Sequence, residues 1–183
     1  MRKNFMVVLA AMAASALLLA GCSSNTASDS QAAADTGMVQ LVNPYVEATD
    51  SDIYNQLGIP MYSGAITNLD AEYIVAGSMA QLNFSTLDPE GETVEWTLRA
   101  AKDATPDESM HGLYYDDFED VVEIEEADLG IVLNYTSCDE GRTKLYYWSA
   151  ADITYTLSYT GEISQMSVSA VLDQVFTAIG LIK

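Results

Sequence analysis

His111 and Cys138 are the two residues whose chemistry would suit a general base and a nucleophile, His111 being the only histidine of the 183-residue chain. A thiol of this kind needs a base within reach and a third group to orient that base. The two lie 27 positions apart with no orienting residue at a telling spacing. That pattern favours a solvated loop histidine and a cysteine packed as a small hydrophobe, so no catalytic residue is assigned and the chain is not expected to be an enzyme. A second concentration of reactive groups is the acidic run Asp116, Asp117, Glu119, Asp120, Glu123, Glu125, Glu126 and Asp128. Carboxylate oxygens suit calcium, but the run has neither the aspartate spacing nor the mid-loop glycine of an EF-hand. Glu123 and Glu125 fit the solvated side of a strand better, and neither metal nor cofactor is expected.

The aromatic residues are more suggestive. Among eleven tyrosines and two tryptophans, Tyr114 and Tyr115 stand in a loop, and Tyr146, Tyr147 and Trp148 stand on a strand. Successive strand residues point to opposite faces, so Tyr146 and Trp148 share one face and Tyr147 takes the other. One set must lie outside the core unless a second layer covers it. Exposed rings beside a polar loop suit a groove for peptide, glycan or amphiphile, since they bury area at low entropic cost; aromatics are also simply favoured in strands. Tyr114, Tyr115, Tyr146 and Trp148 are the ligand-binding candidates.

The elements that must position them are legible in the hydrophobic period. Asn43-Pro44-Tyr45 marks where structure begins, and Asp50 or Ser51 caps a short helix ending at Gly58. Ala80, Leu82 and Phe84 then alternate with polar residues, as do Val94, Trp96, Leu98 and Ala100. Period two signals strands with one wet face. Asp88-Pro89-Glu90-Gly91 joins the two runs as a hairpin turn, and a strand near Ala71–Val75 precedes them. After a loop from Asp103 to about Asp117, alternation resumes at Val122 and Ile124, at Ile131, Leu133 and Tyr135, over Leu145–Trp148, and at Ile153, Tyr155, Leu157 and Tyr159, the last set facing away from Thr154, Thr156 and Ser158. About seven short strands with tight turns predict an antiparallel meander. Val168, Val171, Leu172, Val175, Ile179 and Ile182 fall on one helical face behind Ser164 as N-cap. The fold class expected is α+β: a curved antiparallel sheet with a short N-terminal helix and a C-terminal helix packed on it.

Leu19-Ala20-Gly21-Cys22 closes a sixteen-residue segment, Phe5–Ala20, that is apolar but for Ser15 and follows Arg2 and Lys3. A membrane-spanning helix needs about 20 residues; a basic start, short apolar middle and small-residue junction make a secretory signal instead. The junction resembles a bacterial lipobox. That resemblance implies cleavage before Cys22, acylation of its sulfur, and anchorage on the extracytoplasmic face of the cell membrane, where several acyl chains give stable attachment. Residues 1–21 are then the signal peptide and 22–42 the lipidated cysteine with a polar tether that spans up to ~70 Å when extended. Residues 43–183 form one α+β domain, a size at which disulfides are not required. With Cys22 acylated, Cys138 has no internal partner.

Once the signal is removed, five basic residues remain against 27 acidic ones. Such a field keeps a protein dispersed and repels nucleic acid and anionic headgroups. No nucleic-acid partner is expected.

Several ordered pieces carry a further likeness. Asn43-Pro44-Tyr45, the capped acidic helix, Gly58-Ile59-Pro60, Arg99-Ala100-Ala101-Lys102, Gly112 with Tyr114 and Tyr115, Trp148, Tyr155-Thr156-Leu157, and Ser164 with the closing helix occur in this order. Together they resemble a group of uncharacterised lipoproteins and anti-sigma-factor sensor regions that share a domain of unknown function. The resemblance covers roughly residues 43–180 and implies a curved sheet with helical cover, distantly similar to carriers of lipoprotein acyl chains. It implies no catalytic residues. The loop after Lys102 is more acidic and longer than that pattern, and 21 residues before the lipid site leave no segment for a sigma factor. The expectation is a lipid-anchored, noncatalytic module that binds an extracytoplasmic ligand or protein, with an amphiphile carrier or envelope sensor as the alternative.

Overall fold

The alternating segments assemble into a single antiparallel sheet of eight strands. The structure, a computed structural model, describes residues 43–182. The lipobox, Cys22 and the 22–42 tether lie outside the described residues. The strands are β1 (Tyr45–Glu47), β2 (Leu69–Val75), β3 (Met79–Leu87), β4 (Thr93–Lys102), β5 (Val122–Glu126), β6 (Ile131–Cys138), β7 (Thr143–Ala150) and β8 (Ile153–Thr160). Their spatial order is β1-β2-β3-β4-β8-β7-β6-β5. The simple meander is thereby corrected. Two four-strand meanders meet where β4 pairs with β8, because the chain leaving Lys102 crosses to the far edge before starting β5. The eighth strand is β1, three exposed residues paired with β2 from Tyr45↔Val75 to Glu47↔Tyr73.

Among the described residues three α-helices, α1 (Asp50–Leu57), the single turn α2 (Glu108–His111) and α3 (Gln165–Ala178), and a 3-10 turn at Ser63–Ala65 complete the fold. The N-cap of α1 is Thr49, one residue before the expected position. Its hydroxyl accepts from the Asp52 N–H at 3.3 Å while the Asp52 carboxylate accepts from the Thr49 N–H at 3.0 Å, a reciprocal capping box. Asp50 is occupied elsewhere, accepting from the Ser63 N–H. Gly58, at φ 66°, supplies the left-handed stop. Ser164 caps α3 as expected, accepting from the Ser167 N–H at 3.1 Å.

One face of the sheet carries the main core. Leu82, Phe84, Trp96, Leu98, Trp148, Tyr155 and Leu157 pack there against Ile53 of α1 and Val168, Val171, Val175 and Phe176 of α3. Trp148 stacks on Tyr155 at 5.4 Å and meets Phe176 edge-on at 5.5 Å. Side chains of this size contribute roughly 1.5–3 kcal/mol each when fully buried, which explains why a period-3.6 stripe is kept at the end of the chain. Val122 and Ile124, on the same face, are 52% and 39% exposed, because β5 is the outermost strand.

The opposite face departs from expectation. Thr154, Thr156 and Ser158 are buried although they alternate with the apolar set. The cause is the connection 103–121, which lies over this face. Thr154 Oγ1 donates to the Ala104 carbonyl at 2.6 Å and Thr136 Oγ1 to the Glu119 carbonyl at 2.8 Å, so polar strand residues satisfy the backbone of the segment that covers them.

Candidate functional site

Across this second face one row of side chains runs in register through all eight strands: Glu47, Tyr73, Gln81, Arg99, Thr156, Tyr147, Asn134 and Glu123. The covering segment reaches the row at Arg99, whose Nη1 donates to the Met110 carbonyl at 3.3 Å. Gly112, at the left-handed end of α2, lies so close that a Cβ there would overlap the guanidinium. In a chain this acidic, Arg99 makes no ion pair with a carboxylate among the described residues. Its Nε donates instead to Gln81 Oε1 at 2.8 Å.

That bond fixes an amide relay. A guanidinium can only donate, so the oxygen of Gln81 must face Arg99 and its NH₂ must face away. Gln81 Nε2 then donates to Asn83 Oδ1 at 2.9 Å, which turns the Asn83 NH₂ outward. Asn43 is set in the same way: its Oδ1 accepts from the Tyr45 N–H at 3.1 Å, leaving Nδ2 to donate. Gln81 is only 6% exposed, so the relay is held from behind by packing.

Beyond Arg99 the face is open. Asn43, Tyr45, Glu47, Tyr73, Gln81 and Asn83 line a cleft of about 550 Å³. Tyr45 and Tyr73 are diagonal neighbours on β1 and β2, their rings 5.7 Å apart and nearly perpendicular at 80°. Aromatic faces, two outward amide donors and the Glu47 carboxylate thus converge on one volume of solvent. This arrangement offers surface contact and hydrogen bonds to a molecule placed there; its lining contains no paired acid and base.

The four aromatic candidates are placed differently. Tyr146 and Trp148 are corrected from candidate ligand contacts to core residues, 9% and 1% exposed, because α3 covers the face on which they stand. Burial pushes the Tyr146 hydroxyl up to about 12. Tyr114, at 75%, and Tyr115 are both exposed, in the covering segment and outside the cleft.

His111 is also not the solvated residue expected. It is buried, its Nδ1 accepts from the Leu113 N–H at 3.1 Å, and its ring meets Phe118 edge-on at 5.6 Å. Burial, reinforced by the charge of Arg99, holds its pKa below the ordinary value. It lines a small cleft of about 220 Å³ with Pro106, Phe118 and Tyr147, and Cys138 is not part of that lining. Cys138 is fully buried, and burial followed by Asp117 and Asp139 pushes its thiol up, away from the reactive thiolate.

The acidic run is divided among structural tasks. Asp117 accepts from the Asp139 and Glu140 N–H groups at 3.0 and 2.9 Å, which lowers its pKa and holds two non-glycine residues at positive φ in the β6–β7 turn. Glu119 bonds Ser137. Glu123 and Glu125 point to the second face of β5, and no cluster of three metal-ligating side chains occurs among the described residues.

Tyr45, Tyr73, Gln81, Asn83, Asn43 and Glu47 were not among the candidates read from sequence. Alternation marks Gln81 and Asn83 as solvent-facing, and Asn43-Pro44-Tyr45 stands out as a motif. Nothing local says that a strand beginning at Tyr45 pairs beside them. Comparison with protein families, with curated proteins and with solved structures finds no match.

Proposed function

We propose that this protein is a noncatalytic binding module, tethered through an acylated Cys22 to the extracytoplasmic face of the cell membrane, that engages its ligand on the open half of the second sheet face. The observation that carries the reading is the cleft itself: Tyr45, exposed, and Tyr73, half-buried, line it beside the Gln81 and Asn83 amides that Arg99 orients.

The carrier alternative requires an apolar hollow for acyl chains, and the apolar face is filled by side chains of α1 and α3. A hydrolase would require His111 and Cys138 to meet in one cleft, and the cleft at His111 is lined without Cys138.

Two experiments test the proposal. Cys22→Ala moves the protein from the membrane to the soluble fraction; a variant that still sediments quantitatively with membranes refutes the anchor. A screen of glycans, peptides and amphiphiles against the full-length protein, followed by Tyr73→Ala, locates the site. Binding that survives Tyr73→Ala and is lost on substitutions beneath α3 refutes the cleft.

A further inference from the structure

Resting on the binding-module reading, we infer that the ligand of the β1–β3 cleft is a neutral glycan, bound with a sugar ring against Tyr45 and Tyr73 and its hydroxyls shared between Asn83 and Glu47. The argument begins with what the cleft repels. Glu47 stands in its lining and the chain carries a formal net charge of −20, so an anionic ligand meets a repulsive field both near and far. An acyl chain fares no better, because Asn43, Glu47 and Asn83 would each lose water without gaining a hydrogen-bond partner.

A ligand matched to the groups that line the cleft must both donate and accept hydrogen bonds while offering an apolar side. A sugar ring does this: each hydroxyl donates and accepts, and the C–H face of the ring is apolar. Glu47 accepts only, and the outward NH₂ groups of Asn43 and Asn83 donate only. Neighbouring hydroxyls can therefore donate to the carboxylate and accept from an amide at once. Tyr45 and Tyr73, almost perpendicular, present one ring face and one ring edge for the C–H side.

The relay makes the donors selective. Arg99 sits at its inner end, and a charge-assisted bond polarises the amides that follow, strengthening the last N–H in the chain at Asn83. Because Gln81 is buried and Asn83 is held by it, the donor is fixed before the ligand arrives and little ordering cost is left for binding.

The test uses the full-length protein in a sugar-free zwitterionic detergent, titrated calorimetrically with maltotetraose, cellotetraose and chitotetraose. Saturable binding of at least one is expected, unchanged at high salt because no ligand charge is screened. Tyr73→Ala and Asn83→Ala should each weaken it about tenfold or more. Tyr45→Ala, on an exposed ring, serves if either variant fails to fold. The inference is overturned if none of the three sugars binds at millimolar concentration, or if binding is indifferent to all three substitutions. A peptide or cationic amphiphile that binds and is lost with Tyr73→Ala, where no sugar binds, defeats the glycan assignment and leaves the binding-module reading standing. Loss of both defeats both.

Discussion

Arg99 Nε donates to Gln81 Oε1 at 2.8 Å, and this single bond sets the direction of the Gln81 and Asn83 amides between the covered and open halves of the second face. The same guanidinium holds the Met110 carbonyl, so one side chain ties the covering segment to the sheet and orients the cleft beside it.

Arg99→Lys should therefore not behave as a conservative change. A lysine ammonium is a point donor on a flexible stem and cannot serve Gln81 and Met110 from the fixed fork that Arg99 provides. One acceptor on a buried residue, Gln81 or Met110, is left unpaired, at a cost of about 1–3 kcal/mol. Urea denaturation at neutral pH measures it, and a variant as stable as the parent would show that the fork is not needed.

Gly112→Ala combines two penalties that can be separated. The residue has φ 72°, which costs an L-residue roughly 1–2 kcal/mol. The added methyl also collides with the Arg99 guanidinium. In an Arg99→Ala background the collision disappears and only the backbone cost remains. A double-mutant cycle should thus show coupling between the sites; strictly additive losses would place the guanidinium elsewhere.

The β3–β4 hairpin and α3 were legible in the sequence because their signals are local: turn residues Asp88–Gly91 between alternating runs, and Ser164 ahead of a 3.6-period stripe. β1 was not, since three residues with no buried side chain have no alternation to read. The faces of β7 and β8 were ambiguous for a different reason. Period two separates Tyr146 and Trp148 from Tyr147, but only the docking of α3 and of segment 103–121 decides what covers each side. The cleft was hidden for the same reason, because Tyr45, Tyr73 and Gln81 become neighbours only through strand pairing.

Phe176→Ala should be among the most damaging single changes in α3. Phe176 meets Trp148 edge-on at 5.5 Å and is almost wholly buried, and removing a buried phenyl ring costs about 3–5 kcal/mol. Met166, on the same helix but exposed, is the control and should tolerate alanine within about 0.5 kcal/mol. Thermal denaturation distinguishes them, and equal effects would mean that α3 does not close the core.

Glu72→Gln should stabilise the protein at neutral pH. Glu72 pairs with Leu82 and so faces the core side, beside Asp50 of α1, and its Oε2 is buried without a hydrogen-bond partner. Burial raises its pKa above the ordinary 4.5; the neighbouring Ser63 side chain opposes the shift, and the Asp50 carboxylate adds to it. A carboxyl whose folded pKa is raised binds its proton more tightly when folded. Its stabilising contribution is complete below 4.5 and is lost as pH rises through the folded value. Glutamine keeps the shape of the protonated acid and can donate to Asp50 at any pH. The variant should match the parent in acid and exceed it at pH 7 by about 1 kcal/mol, the order of cost of one buried unpaired polar group. Urea titrations from about pH 4 to about pH 8 read the difference directly. A gap that is constant across that range would remove the titration of Glu72 as its cause, and a less stable variant at pH 7 would mean that the carboxylate gains more from Ser63 than it loses to burial and Asp50.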